Sequence, residues 1–149
     1  MNLSEKESPK PKILCLDFDG VLHSYVSGWN PSGWRGARKI LDPPVEGAIE
    51  WLKSLLGTPD KLGIGSRYLD FKVCIYSSRS QFWGGIRAMK KWLVKWGLDP
   101  AYFELLEFPK QKPAAFLTID DRAITFTGKF TDPKELARFE PWNKLGVSG

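Results

Sequence analysis

Long hydrophobic runs are missing from this chain of 149 residues, and no stretch reaches the roughly 18 consecutive apolar residues that a transmembrane helix needs. We therefore expect no membrane-spanning segment and no membrane partner. Residues 1–12 are polar and lack the apolar middle of a signal peptide, so we expect a disordered tail there. The sequence accordingly predicts a cytoplasmic protein.

Cysteine and histidine are also scarce, with two cysteines and one histidine in the chain. Cys15 and Cys74 lie in apolar runs typical of strands, which favours buried free thiols over a disulfide or a metal site. A single histidine is a weak indication of a metal site, so we expect His23 to line a pocket or to pack within a loop. These shortages disfavour disulfide-stapled domains and cysteine–histidine metal sites.

Acidic residues are outnumbered, since 17 Asp and Glu face 22 Lys and Arg and give a net charge of +5. An excess of this size favours polyanionic ligands such as nucleotides and nucleic acids, although it also fits an ordinary solvated basic surface. The chain is 42% hydrophobic, which is enough apolar material for one domain with a core. We assign that domain to residues 13–149.

Predicted strands and helices alternate along the chain. β-rich apolar runs predict strands at 12–16, 71–76, 105–108, 115–119 and 123–126. Apolar residues at helical spacing, with their stop and cap residues, predict helices at 45–56, 86–96 and about 133–139. The alternation predicts an α/β fold with a mostly parallel sheet and helices on both faces, a Rossmann-like three-layer α/β/α architecture. Residues 23–44 are rich in Gly, Pro, Ser and Trp and are predicted to form a long loop, called the flap below.

Two carboxylates directly follow the first predicted strand. Asp17 and Asp19 are two residues apart, so they would share one face at the carboxyl end of that strand, and Gly20 would end it. Beside a hard cation, one carboxylate can attack phosphorus while the other gives and takes protons. An isolated Asp-x-Asp pair is most often a solvated turn. The apolar strand before this pair and the second acidic pair, Asp120-Asp121, argue against that interpretation.

These residues resemble the four motifs of the haloacid dehalogenase (HAD) superfamily, specifically its aspartate-nucleophile phosphatases. The run from Asp17 to Leu22 resembles the first motif, DxDGxL, and Ser77 resembles the lone Ser or Thr of the second. Lys112 resembles the third-motif lysine, with Lys110 as a competitor, and Asp120-Asp121 resembles the acidic fourth motif. The resemblance keeps the family's order and covers residues 13 to about 126.

The resemblance implies a role for each motif. Asp17 would be the nucleophile that forms an aspartyl-phosphate, and Asp19 would act first as general acid and then as general base. Ser77 would donate a hydrogen bond to a phosphoryl oxygen, and Lys112 would neutralise charge on Asp17 and the phosphate. The expected catalytic residues are therefore Asp17, Asp19, Ser77 and Lys112.

A magnesium cofactor is also implied by the resemblance. Its ligands would be Asp17, Asp120 and Asp121 together with Asp19, which would bind through its backbone carbonyl. Mg²⁺ prefers oxygen ligands and keeps several waters, so a few carboxylates plus a phosphate suit it. The sequence does not separate Mg²⁺ from Mn²⁺ or Co²⁺ as the native ion.

Four residues are predicted to bind substrate. Trp34 and Arg35 of the flap pair an aromatic ring with a cation, which can stack a base and hold a phosphate, or can simply pack on the sheet and be solvated. Ser78 and Arg79 follow Ser77, and this run resembles the second motif of polynucleotide-kinase phosphatase domains. Arg79 could equally pair with an acidic residue. Little chain is left for a cap, so the protein resembles HAD members without a large cap domain.

The sequence therefore predicts a Mg²⁺-dependent phosphomonoesterase, a HAD-type hydrolase, acting on a nucleotide or a polynucleotide 3′-phosphate. Its partner would be a phosphorylated small molecule or a nucleic acid end, and we expect a monomer or a small homo-oligomer. Two alternatives stay open: a phosphotransferase or phosphomutase on the same scaffold, and a nucleic-acid-binding or regulatory HAD-like protein with little catalysis. A dehalogenase is disfavoured because such members typically lack the second aspartate, which is Asp19 here.

Overall fold

A four-stranded, all-parallel sheet lies at the centre of this computed structural model, which describes residues 12–29, 31–59 and 71–144. The strands are β1 (Lys12–Leu16), β2 (Phe71–Ile75), β3 (Leu106–Glu107) and β4 (Leu117–Ile119). The α-helices are α1 (Trp34–Ala37), α2 (Ala48–Leu56), α3 (Gly85–Lys95) and α4 (Pro133–Ala137). Short 3₁₀ helices cover Ser78–Gln81, Pro100–Glu104 and Trp142–Lys144.

The strand order is β3-β2-β1-β4, so β1 is an inner strand. β1 pairs with β2 from Lys12↔Phe71 onward, and with β4 at Leu14↔Leu117. Since all pairings are parallel, the carboxyl ends of the strands meet at one edge of the sheet. This confirms an α/β protein with a parallel sheet.

The two inner strands read as continuous apolar runs because both of their faces are covered. The last three residues of β1 and of β2 are at most 3% exposed. α2 and α3 supply the neighbouring core through residues with 0 to 1% exposure: Leu52, Leu56, Met89 and Leu93. β4 differs, since Leu117 is 50% exposed at the outer edge of the sheet.

Helix boundaries follow the predicted signals closely. α2 ends at Leu56 because Gly57 takes a φ of 78°, a left-handed value that favours glycine. α4 begins after Asp132, whose side chain accepts a hydrogen bond of 2.8 Å from the backbone N–H of Lys134. It ends at Ala137, two residues before the predicted end.

Some predictions need correction. Residues 123–126 do not form a strand, although their apolar pattern predicts one. Ile124 and Phe126 are 58% and 64% exposed, and without a paired neighbour a short apolar run does not become a strand. The flap is not entirely a loop, because it contains α1.

Two further predictions fall partly outside the described residues. Of the disordered tail predicted at 1–12, only Lys12 is described, and it belongs to β1. Most of the loop predicted at 57–66 also lies outside them. Among the helices of residues 12–29, 31–59 and 71–144, none has the length and apolar character needed to cross a membrane.

Candidate active site

Three carboxylates meet where β1 and β4 end. Asp17 directly follows β1, and Asp120 and Asp121 directly follow β4. Since the two strands are neighbours, the side chains converge, and one oxygen from each lies within 4.8 Å of the others. The predicted acidic cluster is therefore assembled by the order of the strands.

Asp17 is held by two hydrogen bonds at the tip of β1. Its backbone N–H donates to the carbonyl of Ile119 at 2.9 Å, and its Oδ1 accepts from the N–H of Phe18 at 2.9 Å. Burial, together with the neighbouring carboxylates of Asp120 and Asp121, raises the pKa of Asp17 to about 8. Without a cation, the cluster thus favours the protonated form of Asp17.

Asp121 fills a space that only glycine leaves open. Its side chain is 2% exposed, and its Oδ2 is buried without a hydrogen-bond partner. Gly20 has a φ of 85°, and a Cβ at that position would collide with the Asp121 carboxyl group. Burial also raises the pKa of Asp121. An unpartnered oxygen beside two more carboxylates is a donor set that fits a hard divalent cation.

A pocket of about 220 Å³ opens at this end of the sheet. The predicted site residues that line it are Asp17, Ser77, Ser78, Lys112 and Asp120. Lys110 lines a different cavity, so the structure places Lys112 rather than Lys110 beside the nucleophile candidate.

Ser77 begins the 3₁₀ helix that follows β2. Its Oγ accepts a hydrogen bond of 3.1 Å from the N–H of Arg79, and its own N–H donates to Ser80 Oγ at 3.1 Å. These reciprocal bonds form a capping box that fixes the hydroxyl at the pocket wall. Because the hydroxyl acts as an acceptor in this cap, its hydrogen can be donated to a bound anion.

Asp19 points away from the acidic cluster. Its Oδ1 accepts from His23 Nδ1 at 2.8 Å and its Oδ2 from Arg79 Nε at 2.8 Å. The Nε2 of His23 accepts from the N–H of Asp42 at 3.1 Å, which assigns the ring proton to Nδ1. The Asp19 side chain is thus not one of the clustered ligands, which leaves its backbone carbonyl for the predicted metal contact.

Arg79 connects Asp19 to the flap. Its guanidinium is fully buried, and Nη1 donates to the carbonyls of Gly36, Ala37 and Lys39 at 2.8, 3.0 and 2.9 Å. The group lies 4.8 Å from the ring centroid of Trp29, and Nη2 has no hydrogen-bond partner. Arg79 does not line the pocket around Asp17, so these contacts support a positioning role.

Trp34 and Arg35 are not brought to the pocket. Both are exposed on α1, where the Arg35 guanidinium lies 5.3 Å from the Trp34 ring centroid. They line neither the pocket around Asp17 nor the larger cavity along α3. Their assignment to substrate binding stays a prediction.

No family model, curated protein or solved structure matches this chain. Its function is therefore inferred from its own residues and their geometry.

Sequence reasoning left open that Arg79 pairs with an acidic residue, and its partner is Asp19. It missed that His23 is the second partner of Asp19. His23 lies four residues after Asp19, and a tight turn after β1 brings the two side chains together. The Asp-x-Asp-Gly turn followed by histidine carries that signal, since Gly20 reverses the chain. Arg122 also lines the pocket, with its Nε 4.0 Å from Asp121 Oδ2.

The end of the described chain contacts residues 20–26, which form the turn after β1 and the start of the flap. Trp142 Nε1 donates to the carbonyl of Gly20 at 2.7 Å, and Asn143 Nδ2 donates to the carbonyl of Ser24 at 3.1 Å. Lys144 Nζ reaches the carbonyl of Val26 at 3.0 Å. No local sequence pattern predicts these bonds, because they join residues more than a hundred positions apart.

Chemically, the site combines groups of opposite charge around one cavity. The carboxylates can hold a divalent cation and supply a nucleophile, while Ser77 and Lys112 present a hydroxyl and an ammonium group to an anion. A phosphate monoester meets all these requirements because it carries negative oxygens around an electrophilic centre.

Proposed function

We propose that this chain is a divalent-cation-dependent phosphomonoesterase of the HAD type, built on a Rossmann-like α/β/α core without a large cap domain. One observation carries the proposal: Asp17 and Asp120 share a single pocket with Ser77 and Lys112, although four separate chain segments supply them. A parallel sheet whose ligand-binding groups follow the strands supports the same conclusion.

The reaction has two steps. A carboxylate oxygen of Asp17 attacks phosphorus, the bond to the leaving oxygen breaks, and Asp19 gives its proton to that oxygen. Water then attacks the aspartyl-phosphate, Asp19 takes the proton, and inorganic phosphate and free Asp17 are restored. Ser77 and Lys112 stabilise the negative oxygens throughout.

Mg²⁺ is the proposed cofactor, held by Asp17, Asp120 and Asp121 with the backbone carbonyl of Asp19. When bound, it would offset the repulsion between the Asp17 carboxylate and the anionic substrate. Asp121 Oδ2 supports this assignment, since it is buried without a hydrogen bond and its ion pair with Arg122 is long, at 4.0 Å.

The orientation of Asp19 has a mechanistic consequence. In the present conformation both of its oxygens accept hydrogen bonds from His23 and Arg79. To protonate a leaving group, Asp19 must exchange these bonds and turn toward the pocket. We infer that movement of the flap, which Arg79 joins to Asp19, accompanies this exchange.

The test is phosphate release by the purified protein with Mg²⁺ or with EDTA. The substrates are p-nitrophenyl phosphate, nucleoside 5′- and 3′-monophosphates and a 3′-phosphorylated oligonucleotide. We expect Mg²⁺-dependent release that Asp17→Asn abolishes, because an amide is a poor nucleophile. Equal release by wild type and Asp17→Asn would refute the assignment of the nucleophile.

Transfer to an added alcohol in place of water would instead identify a phosphotransferase. Absence of both reactions would favour a binding or regulatory role. The cytoplasmic location and the monomeric or small homo-oligomeric state stay predictions.

A further inference from the structure

A second and larger cavity runs along α3. It is an open groove of about 1080 Å³, which we call the α3 groove. Six cationic side chains line it: Arg38, Arg87, Lys90, Lys91, Lys95 and Lys110. Among the described residues that line the groove, none is acidic. The groove therefore concentrates positive charge well beyond the modest excess of the whole chain.

Three of these cations form a stripe on one face of α3. Arg87, Lys91 and Lys95 follow each other at intervals of four residues, and all three are exposed. Like charges at this spacing repel and weaken a helix. Helix stability thus does not account for the stripe, whereas a row of phosphates along the groove would neutralise it.

Aromatic rings interrupt the positive surface. Trp83 lies just before α3 and is 80% exposed, which is an unusual position for an indole ring. The Arg38 guanidinium lies 5.1 Å from the Trp83 ring centroid and 5.6 Å from that of Trp34. Cation–π contacts of this kind orient an exposed ring, whose free face is then available for stacking.

The α3 groove adjoins the candidate active site at two places in the chain. Ser80 and Gln81 line the groove, and Ser77 and Ser78, one turn earlier, line the pocket around Asp17. In the same way, Lys110 lines the groove and Lys112 lines the pocket. A polymer lying in the groove can therefore place its end in the pocket.

We propose that the α3 groove binds single-stranded nucleic acid, with the cations contacting phosphates and Trp83 stacking on a base. Exposed aromatic rings between cations are the features that bind single strands with little sequence preference, and an acidic peptide has no bases to stack. α3 has 11 residues and is about 16 Å long, which spans a few nucleotides. That the strand ends in the pocket rests on the proposed phosphatase function, whereas binding in the groove does not.

The first experiment measures fluorescence anisotropy of a labelled single-stranded oligonucleotide with hydroxyl ends, over a series of salt concentrations. Six phosphate contacts would give a slope of log K against log salt of about −4. The triple variant Arg87→Gln/Lys91→Gln/Lys95→Gln should make that slope about 2 units shallower. The control, Lys53→Gln/Lys129→Gln/Lys134→Gln, removes the same charge elsewhere and should bind like wild type. Equal losses in both triple variants would overturn the proposal.

The second experiment tests stacking. Trp83→Ala should weaken binding about tenfold, whereas Trp51→Ala, which removes an exposed indole from α2, should leave it unchanged. If Trp83→Ala has no effect and polyglutamate competes as well as the oligonucleotide, the groove is a general polyanion surface and the proposal fails. Ultraviolet crosslinking to wild-type protein should label residues 83–95, and this readout does not depend on whether a variant folds.

The two proposals fail separately. An oligonucleotide with hydroxyl ends carries no phosphomonoester, so its binding does not depend on catalysis. Binding in the groove without release of phosphate from any ester would refute only the phosphatase assignment. Mg²⁺-dependent hydrolysis of p-nitrophenyl phosphate without oligonucleotide binding would refute only the proposal that the α3 groove binds nucleic acid.

Discussion

At the scale of the residue, the site depends on Gly20 as much as on its carboxylates. The Asp121 carboxyl group lies against the Cα of Gly20, in the space that any side chain at this position would fill. A left-handed φ of 85° makes the same position unfavourable for other residues. The close approach of Asp121 and the positive φ thus both require glycine at position 20, next to the candidate metal ligands.

Gly20→Ala should therefore abolish Mg²⁺-dependent activity and Mg²⁺-induced thermal stabilisation. The matched control is Gly28→Ala, because Gly28 also has a positive φ, 73°, but has no atom within 4 Å of the added Cβ. Both variants should lose about 1 to 2 kcal/mol of unfolding free energy through backbone strain. Retained Mg²⁺ stabilisation in Gly20→Ala would contradict the placement of Asp121.

The raised pKa of Asp17 predicts a pH dependence of stability in EDTA. Burial and the neighbouring carboxylates raise this pKa from 3.8 to about 8, so the folded state holds a proton more tightly than the unfolded state. The contribution of Asp17 to stability should be complete below pH 3.8 and should be lost as the pH rises toward about 8.

Thermal melting across that range measures the effect. Asp17→Asn should flatten the dependence, and saturating Mg²⁺ should reverse it, since the cation favours the ionised carboxylates. An unchanged profile in Asp17→Asn would assign the dependence to other groups.

At the scale of the element, one buried side chain joins the flap to the segment after β2. Arg79 comes from the 3₁₀ helix after β2, yet it bonds three carbonyls at the end of α1 and the side chain of Asp19. The general-acid candidate and the flap thus share a single cation. Their positions cannot change independently.

Arg79→Gln should cost about 3 to 5 kcal/mol of unfolding free energy, because it leaves a buried carboxylate and buried carbonyls without their cation. Urea denaturation measures this loss. The control Arg35→Gln alters an exposed cation of α1 and should stay within about 0.5 kcal/mol of wild type. Combining Arg79→Gln with Asp19→Asn should cost less than the sum of the single changes. Additive losses would show that the pair does not interact.

Sequence reasoning worked best on elements with local signals. Each of these elements carries its own signal in the sequence. An apolar run predicts the strands β1 and β2, and helical spacing followed by a glycine predicts the helices α2 and α3. The resemblance implied which acids would cluster, and they meet because parallel strands end at the same edge of a sheet. Residues 123–126 were wrongly predicted as a strand, because a strand must pair with a neighbour that no local sequence pattern reveals.

At the scale of the whole molecule, the C-terminal end of the described chain contacts the turn after β1 and the start of the flap. Trp142 and Asn143 bind backbone carbonyls of the loop that follows Asp19. These bonds could not be predicted because they join residues far apart in the chain, and neither could the three carbonyls that Arg79 binds in the flap. The α3 groove was missed for a related reason: its cations come from three distant segments.

Trp142→Phe tests the contact with the loop, because it removes the indole donor and keeps an aromatic ring. We expect a loss of about 1 kcal/mol in unfolding free energy and weaker Mg²⁺ binding, since Gly20 loses its hydrogen bond. Calorimetric titration with Mg²⁺ measures the second effect. Trp51→Phe serves as control. If both variants bind Mg²⁺ with equal affinity, the Trp142 contact does not influence the site.

The bond from the Asp17 N–H to the Ile119 carbonyl joins the ends of β1 and β4. The separation between Asp17 and the Asp120-Asp121 pair is therefore a spacing of the sheet itself, about 4.7 to 4.9 Å between neighbouring strands. Loops can lengthen, shorten or change composition without altering that interval. A laboratory could thus exchange the flap for one of different length while these carboxylates keep their separation.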